Sequence, residues 1–275
     1  MVDPDAETDF PPQPGTAAQL DRTHLQREIQ RLALRCFPTL KRFDALRQEF
    51  VRRITGRAHV VDFFHQVDDA YSHLALEAIS PLLGRYDIEI RFHLTTQADR
   101  AHAPEPELLA AYARRDCAIV APHYGLEFPD SPNAPSSENV STVEALLAGL
   151  TDDPRFLEVA LAAGRALWRS DGGSLRRVAE RVPVSNADEL AAAIARGNDL
   201  RTRLRHYSGG MFWYAGEWYW GVDRLYHLEN RLIALGAAQG PGRECRFDRP
   251  PIDAGTAQNA GRLTLEMFPS LRSPY

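Results

Sequence analysis

Residues 60–75 read VVDFFHQVDDAYSHLA, an apolar run followed by two acidic residues and a helical segment. The run is rich in β-branched and aromatic side chains, which is typical of a buried strand. Asp69 stands where it can cap the helix that we predict over residues 70–83. Residues 88–94 alternate apolar and polar side chains, which predicts a second strand. A strand, a helix and a strand in this order predict two parallel strands joined by a helical crossover.

The second half of the predicted sheet comes much later in the chain. Residues 96–205 show helical periodicity throughout, which predicts an all-helical insertion. Asp188 stands where it can cap the last helix of this insertion. Residues 211–220 form two short aromatic runs around Ala215-Gly216, a two-residue turn typical of a hairpin. A closing helix is predicted for residues 222–235. The order βαβ, helical block, ββα is that of an α/β, thioredoxin-like fold with a large all-helical insertion.

Composition and periodicity divide the chain into segments. The first is acidic and proline-rich, which predicts disorder. Two apolar stripes of helical spacing follow it and predict a helical extension. The segments are a disordered lead (1–19), an N-terminal helical extension (20–56), a thioredoxin-like domain (57–95 and 206–236), the helical insertion (96–205) and a linker that leads into a second, repeated domain (237–275).

The charge balance restricts the partners and the compartment. The chain has 32 Lys and Arg residues against 37 Asp and Glu residues, a net charge of −5. An acidic chain without a clustered basic patch argues against nucleic acid as a partner. No apolar run approaches the ~20 residues of a membrane helix, and residues 1–19 lack the basic and apolar regions of a signal peptide. These features predict a cytoplasmic protein without a membrane partner.

The cysteines and histidines give no sign of redox or metal chemistry. Cys36, Cys117 and Cys245 lie far apart, and no Cys-x-x-Cys pair occurs. The nine histidines show no metal-ligand spacing. We therefore expect no metal and no dithiol oxidoreductase activity, and the cysteine pattern fits a reducing compartment.

Several motifs together resemble one branch of a known superfamily. They are residues 63–75 (FFHQVDDAYSHLA), 112–116 (YARRD), 125–129 (GLEFP), 166–168 (ALW) and 216–225 (GEWYWGVDRL). The chain from Val60 to Gly236 resembles the DsbA-like thioredoxin-fold superfamily, and within it the kappa-class glutathione transferases and 2-hydroxychromene-2-carboxylate isomerases. The resemblance implies a glutathione-dependent isomerase or transferase that acts on a small electrophilic or aromatic substrate.

Two positions differ from the pattern of that branch. Asp69-Ala70-Tyr71-Ser72 stands where dithiol members have Cys-x-x-Cys and the kappa branch has Ser-Pro-Tyr-Ser, and Gly210 stands where a cis-proline is usual. The resemblance implies that Asp69 or Ser72 faces the glutathione sulfur. It also implies that the backbone of Gly210 and Met211 holds the peptide and that Asp223 reaches the γ-glutamyl amine.

Each candidate has a structural alternative. Asp69 can serve only as a helix cap; if ionised, it would repel a thiolate ~4 Å away by ~4 kcal/mol at an effective dielectric of ~20. That exceeds the ~0.3–1 kcal/mol that a helix N-terminus supplies, and the same field is expected to lower the pKa of Asp69. Ser72 and Asp223 can be ordinary helix residues. His65 and His73 are either general bases or surface residues, and the aromatic run of residues 212–220 either stacks on a substrate or forms core.

The end of the chain resembles its first strand and turn. Residues 264–275 (TLEMFPSLRSPY) match residues 60–71 at a constant offset of 275 − 71 = 204. Ser273-Pro274-Tyr275 restores the kappa-type pattern, so we infer a tandem arrangement with Ser273 at the catalytic position of a second domain. Chance similarity is the alternative to the repeat, and a homodimer is the alternative to the tandem arrangement. For the function as a whole, the alternative to an enzyme is a non-catalytic thioredoxin-fold binding or scaffolding domain.

Overall fold

The computed structural model describes residues 47–98, 102–103, 105–129, 133–240, 242 and 244–251. The predicted lead, most of the predicted N-terminal extension and the tail that contains Ser273 lie outside the described residues. Within the described part, residues 47–55 are helical.

A four-stranded sheet lies at the centre of the described part. Its strands are β1 (His59–His65), β2 (Ile88–Leu94), β3 (Met211–Tyr214) and β4 (Glu217–Trp220), in the spatial order β2-β1-β3-β4. β1 and β2 are parallel, whereas β3 is antiparallel to both β1 and β4. This connectivity is that of the thioredoxin fold, so the predicted α/β, thioredoxin-like fold is confirmed.

The side chains of β1 and the backbone of the hairpin turn show why these residues form strands of the sheet. Val61, Phe63 and Phe64 of β1 are completely buried, because an internal strand with helices on both faces has no solvated side. The hairpin between β3 and β4 forms at the predicted turn. Ala215 and Gly216 have positive φ angles of 44° and 90° there, as a type I′ turn requires.

Helices cover the sheet and form the insertion. Two helices connect β1 and β2, namely α1 (Ala70–Glu77) and α2 (Ile79–Leu83). The insertion contains α3 (Pro106–Val120), α4 (Ser137–Ala148), α5 (Phe156–Trp168), α6 (Gly172–Ala179) and α7 (Ala187–Arg203). The closing helix is α8 (Leu225–Ala234). Two 3₁₀ turns, Ala121–Tyr124 and Val222–Arg224, follow α3 and precede α8. None of the helices in the described ranges has the length and apolar content needed to cross a membrane.

Two details of the predicted helices are wrong. The single helix expected over residues 70–83 is broken at Ala78. Pro81 explains the break, since a proline ring clashes with the carbonyl group four residues earlier, here that of Glu77. The cap of α7 is Asn186 and not Asp188, because Asn186 and Glu189 form a reciprocal capping box.

The described residues after α8 pack against the domain. Phe247 is completely buried. The carboxylate of Glu229, on α8, accepts hydrogen bonds from the hydroxyl of Tyr86 at 2.8 Å and from the backbone N–H groups of Arg246 and Phe247 at 2.7 Å each. A buried carboxylate with three donors therefore attaches this segment to the core.

Candidate active site

A cavity of about 350 Å³ opens beside the start of α1. Its walls come from the loop between β1 and α1, from α3 with the segment before it, and from the loop that leads into β3. The cavity therefore lies at the carboxyl end of β1, which is where α/β sheets commonly place ligands.

Asp69 lies in the cavity wall and caps α1. One carboxylate oxygen, Oδ1, accepts the N–H of Tyr71 at 3.2 Å, and Oδ2 accepts the N–H of Ser72 at 3.1 Å. The predicted cap is confirmed. The same two bonds fix the orientation of the carboxyl group at the cavity wall, so the capping role does not exclude a chemical one.

The pKa of Asp69 is raised to about 7, against an ordinary value of 3.8. Desolvation is the largest cause, because protein surrounds the carboxyl group except where the cavity reaches it, and the neighbouring Asp68 adds to the shift. The N–H groups of Tyr71 and Ser72 act in the opposite direction but are weaker. Our expectation of a lowered pKa is therefore wrong. Near neutral pH, Asp69 is present in both its acid and its base form.

Ser72 is a satisfied core residue and does not line the cavity. It is completely buried, and its Oγ accepts the backbone N–H of Gln66 at 2.9 Å. The same Oγ lies 2.9 Å from Nδ1 of His65, so the hydroxyl can donate its hydrogen to a neutral imidazole. The hydroxyl thus uses both its donor and its acceptor capacity inside the protein. This agrees with the alternative that Ser72 is an ordinary helix residue.

The two histidines beside this turn are buried, so the expectation of surface residues is wrong for both. Burial lowers the pKa of His65 to about 4 and that of His73 to about 3. Both rings are therefore neutral at physiological pH. Nδ1 of His73 has no hydrogen-bond partner among the described residues, and the ring packs against Gly164 of α5. Neither histidine lines the cavity.

Gly210 and Met211 form the entry into β3 and are also used internally. The N–H of Gly210 donates to the carbonyl of Phe64 at 2.9 Å, and its carbonyl accepts the N–H of Gly221 at 3.2 Å. Met211 is buried in β3 opposite Phe64. Neither residue lines the cavity, so their backbone groups are not directed to a ligand there.

Asp223 is exposed in the 3₁₀ turn before α8, 3.5 Å from Nε of Arg224. It is not among the described residues that line the cavity. Ser273 lies outside the described residues. Of the five described residues that the sequence proposed for catalysis or binding, Asp69 is the one that lines the cavity.

Several other residues line the cavity that the sequence analysis did not single out. Gly209 is buried in the cavity wall, and neither its N–H nor its carbonyl has a hydrogen-bond partner among the described residues. His102 and Tyr207 also line the cavity, with their rings stacked at 4.3 Å between centroids. All three lie in loops without hydrophobic periodicity, so only a neighbouring motif could have singled them out. Gly209 precedes the position that the resemblance did mark.

One residue of the aromatic run reaches the cavity. Trp220 lines it with 56% of its surface exposed. Tyr219 is buried, and Trp218 packs its ring against that of Phe64 at 5.0 Å. Trp218 and Trp220 lie on the same face of β4, and Trp220 reaches the cavity because it stands at the end of the strand. Both alternatives for the run therefore hold, each for different residues.

The cysteines and acidic groups offer no redox pair or metal centre in the described ranges. Cys117 and Cys245 are both free, and burial raises the pKa of each thiol. Cys36 lies outside the described residues. No group of three or more His, Cys, Asp or Glu side chains in the described part could hold a metal ion.

Similarity to known proteins is found among solved structures. No protein-family model and no curated protein matches the chain. Among solved structures, a 2-hydroxychromene-2-carboxylate isomerase is 19% identical, with a TM-score of 0.48 over 64% of this chain and 96% of that one. A probable DsbA oxidoreductase from Streptomyces coelicolor is 12% identical, with a TM-score of 0.47 over 66% of this chain and 92% of that one. The strand order β2-β1-β3-β4 establishes the thioredoxin-like fold by itself.

Proposed function

We propose that the cavity is the active site of an acid–base isomerase or transferase that acts on a small aromatic or electrophilic substrate, with Asp69 as the proton-transferring group. One observation carries the proposal: a carboxyl group with a pKa of about 7 lies in the wall of a cavity. General acid–base catalysis works best when the pKa of the group lies near the working pH. A strongly perturbed pKa in a cavity is also typical of functional sites.

The chain supplies what such a proton transfer needs. The backbone N–H groups of Tyr71 and Ser72 hold one oxygen each, so the carboxyl group keeps its orientation whether or not it is protonated. As a carboxylate, Asp69 would accept a proton from an activated carbon of the substrate. As the acid, it would return the proton to another atom, which moves a double bond without net change. Trp220 and Leu109 add apolar surface for a flat substrate.

Proton exchange on a simple ketone tests this proposal. Phenylacetone is an uncharged aromatic ketone, and proton NMR in deuterium oxide follows the exchange at the carbon beside its carbonyl group. We expect the wild-type protein to accelerate the exchange and Asp69→Asn to lose the acceleration, because the amide cannot accept the proton. Equal rates for these two proteins would contradict the proposal.

Asp171→Asn is the matched control. Asp171 also caps a helix, since its Oδ1 accepts the N–H of Ser174 at 2.9 Å. It does not line the cavity. Asn caps a helix about as well as Asp, so both variants keep their helices, and we expect Asp171→Asn to exchange phenylacetone at the wild-type rate.

Glutathione, which the resemblance implies, forms a separate proposal. The unpaired backbone of Gly209 favours it, because an extended peptide could form hydrogen bonds there. The other groups do not fit, since the hydroxyl of Ser72 and both backbone groups of Gly210 are used inside the protein. We derive no chemical step through glutathione for this reason. Calorimetry tests its binding: heat on titration with glutathione would support the proposal, and no heat at millimolar glutathione would exclude it.

A non-catalytic binding domain is the second candidate. The observation that favours it is that each carboxylate oxygen of Asp69 already accepts a backbone hydrogen bond. Under this function, Asp69→Asn changes the stability of the protein but no rate. The phenylacetone experiment separates the two candidates, because only the acid–base function makes the exchange depend on Asp69.

A further inference from the structure

β2 is an edge strand whose outer side pairs with no other strand among the described residues. It lies first in the order β2-β1-β3-β4 and has β1 as its neighbour on the other side. Just after β2, the N–H of Thr95 donates to the carbonyl of His65 in β1 at 2.8 Å. Backbone groups alternate in direction along a strand. The odd-numbered residues of β2 therefore direct their backbone groups to β1, and the even-numbered residues direct theirs outward.

The open part of this edge has two defined ends. At one end α7 covers Leu94, since a Cβ atom added to Gly197 would overlap the carbonyl oxygen of Leu94. At the other end the chain turns, because the N–H of Ile88 donates to the carbonyl two residues before it at 3.0 Å. Between these ends, the outward N–H and carbonyl groups of Ile90 and Phe92 have no partner in the described part of the chain. Ile90 is the centre of this open stretch.

The side chains of β2 fit a further strand. Ile88, Ile90 and Phe92 share one face of the sheet and are only partly buried, although they are apolar. Glu89 and Arg91 share the other face, where both are exposed and Oε1 of Glu89 lies 3.0 Å from Nε of Arg91. Neither a proline nor a bulge interrupts these seven described residues, and such features are among those by which natural edge strands avoid pairing.

We propose that two copies of the chain pair through β2, antiparallel and related by a two-fold axis at Ile90. Each Ile90 then exchanges two backbone hydrogen bonds with its counterpart, and Phe92 pairs with Ile88 of the other copy. Glu89 lies opposite Arg91 of the other copy, and this pair of opposite charges occurs twice. The stretch is thus complementary to itself, which a two-fold dimer requires, and this favours a second copy over an unrelated strand.

The covered end and the charges select this register. A pairing centred on Phe92 would need the outer side of Leu94, which α7 covers. A pairing centred on Ile88 would place Asp87 opposite Glu89 of the other copy, two like charges. Because one short strand on each side makes a small interface, we expect an equilibrium between monomer and dimer and not a permanent dimer.

Amide hydrogen exchange at several protein concentrations tests the proposal. NMR follows individual N–H groups of the full chain, and sedimentation velocity measures the dimer fraction in the same samples. We expect the N–H groups of Ile90 and Phe92 to exchange about tenfold more slowly when nine-tenths of the chain is dimeric, since only the monomer exposes them. The N–H groups of Glu89 and Arg91 are the internal control, because they point to β1 and should exchange slowly at every concentration.

Charge reversal identifies the partner as a second copy. Arg91→Glu and Glu89→Arg should each weaken the dimer about tenfold, because both pairs across the two-fold axis become repulsive. An equal mixture of these two variants, or the double variant Glu89→Arg, Arg91→Glu, should restore it. Arg181→Glu is the matched control, since this exposed residue lies in the turn after α6 and outside the sheet. It should leave the dimer as strong as in the wild type.

Three outcomes would overturn the proposal. A monomer at every concentration would exclude the second copy. Slow exchange of Ile90 and Phe92 that does not depend on concentration would mean that another segment of the same chain covers the edge. A dimer that both single variants keep would use a different surface. None of these results bears on the acid–base function, because β2 does not line the cavity at Asp69 and the phenylacetone exchange is measured separately.

Discussion

Gly210 lies directly against the backbone of Ser72. A Cβ atom added to Gly210 would be 3.0 Å from the backbone nitrogen of Ser72 and 3.1 Å from its Cα, and the φ angle of Gly210 is +64°. The loop before β3 therefore touches the first turn of α1 with no room for a side chain. A proline is excluded as well, because its φ is fixed near −65° and the N–H of Gly210 is needed for the bond to Phe64.

We predict that Gly210→Ala destabilises the protein more than Gly236→Ala does. Gly236 also has a positive φ, +81°, but nothing lies within 4 Å of an added Cβ. Its substitution costs only the left-handed conformation, about 1–2 kcal/mol. Gly210→Ala adds the contact with Ser72, about 1–3 kcal/mol more. Urea unfolding of both variants measures the difference, and equal midpoints would show that the close approach is not rigid.

Ser72→Ala should destabilise the protein by about 1–3 kcal/mol, because it leaves the buried N–H of Gln66 and Nδ1 of His65 without a partner. Ser174→Ala is the control, since its exposed hydroxyl bonds to the side chain of Asp171 and its loss should cost less than ~0.5 kcal/mol. Thermal and urea unfolding report both values. If Ser72→Ala were as stable as the wild type, the hydroxyl would be free for chemistry after all.

The parts of the fold that the sequence predicts are those with a strong local pattern. The apolar run of β1 and the turn at Ala215-Gly216 are specified by residues that are neighbours in the chain, so this strand and the hairpin follow from them. The helix break at Ala78 was missed although Pro81 is visible, because helical periodicity continues through it. The cap at Asn186 was missed because two acidic residues after it offered a second start.

The properties of the site depend on contacts that the sequence does not show. The field of the α1 N-terminus is local, and from it alone a lowered pKa for Asp69 follows. The opposite shift arises because α3, about 40 residues away in sequence, encloses the carboxyl group together with the loop before β3. His65 and His73 are buried for the same kind of reason. Burial by distant elements decides which of the candidate groups can react.

Glu229→Gln is predicted to loosen the segment after α8. The carboxylate accepts one hydroxyl and two backbone N–H groups, and an amide offers one oxygen and places an N–H₂ group against the remaining donors. We expect a loss of about 2–3 kcal/mol and faster trypsin cleavage after Arg246, read by mass spectrometry. Glu180→Gln, on the exposed end of α6, should leave the cleavage rate as it is. Slow cleavage in both variants would mean that Phe247 alone anchors the segment.

The stability of the protein should depend on pH through Asp69 in a direction opposite to that of most carboxyl groups. Its pKa is 3.8 in the ordinary state and about 7 in the folded state, so between these values the folded protein binds more protons than the unfolded one. Stability from this group is therefore fully present below about pH 4 and is lost as the pH rises through about 7. In Asp69→Asn the helix cap remains, but the side chain no longer gains or loses a proton in this pH range.

We expect Asp69→Asn to gain stability relative to the wild type as the pH rises across this window, by about 2 kcal/mol. A fully buried carboxyl group would show a larger gain, since each pKa unit corresponds to about 1.36 kcal/mol. The gain is smaller here because the cavity gives solvent access to Asp69. Asp171→Asn should show the opposite trend, because the bonds from Ser174 lower the pKa of Asp171. A carboxyl group with a lowered pKa stabilises the fold above its ordinary pKa and loses that contribution as the pH falls. Urea unfolding of the wild type and both variants across the pH range measures the two trends. If the two variants ran in parallel, Asp69 would be an ordinary helix cap, and the acid–base proposal would lose the observation that carries it.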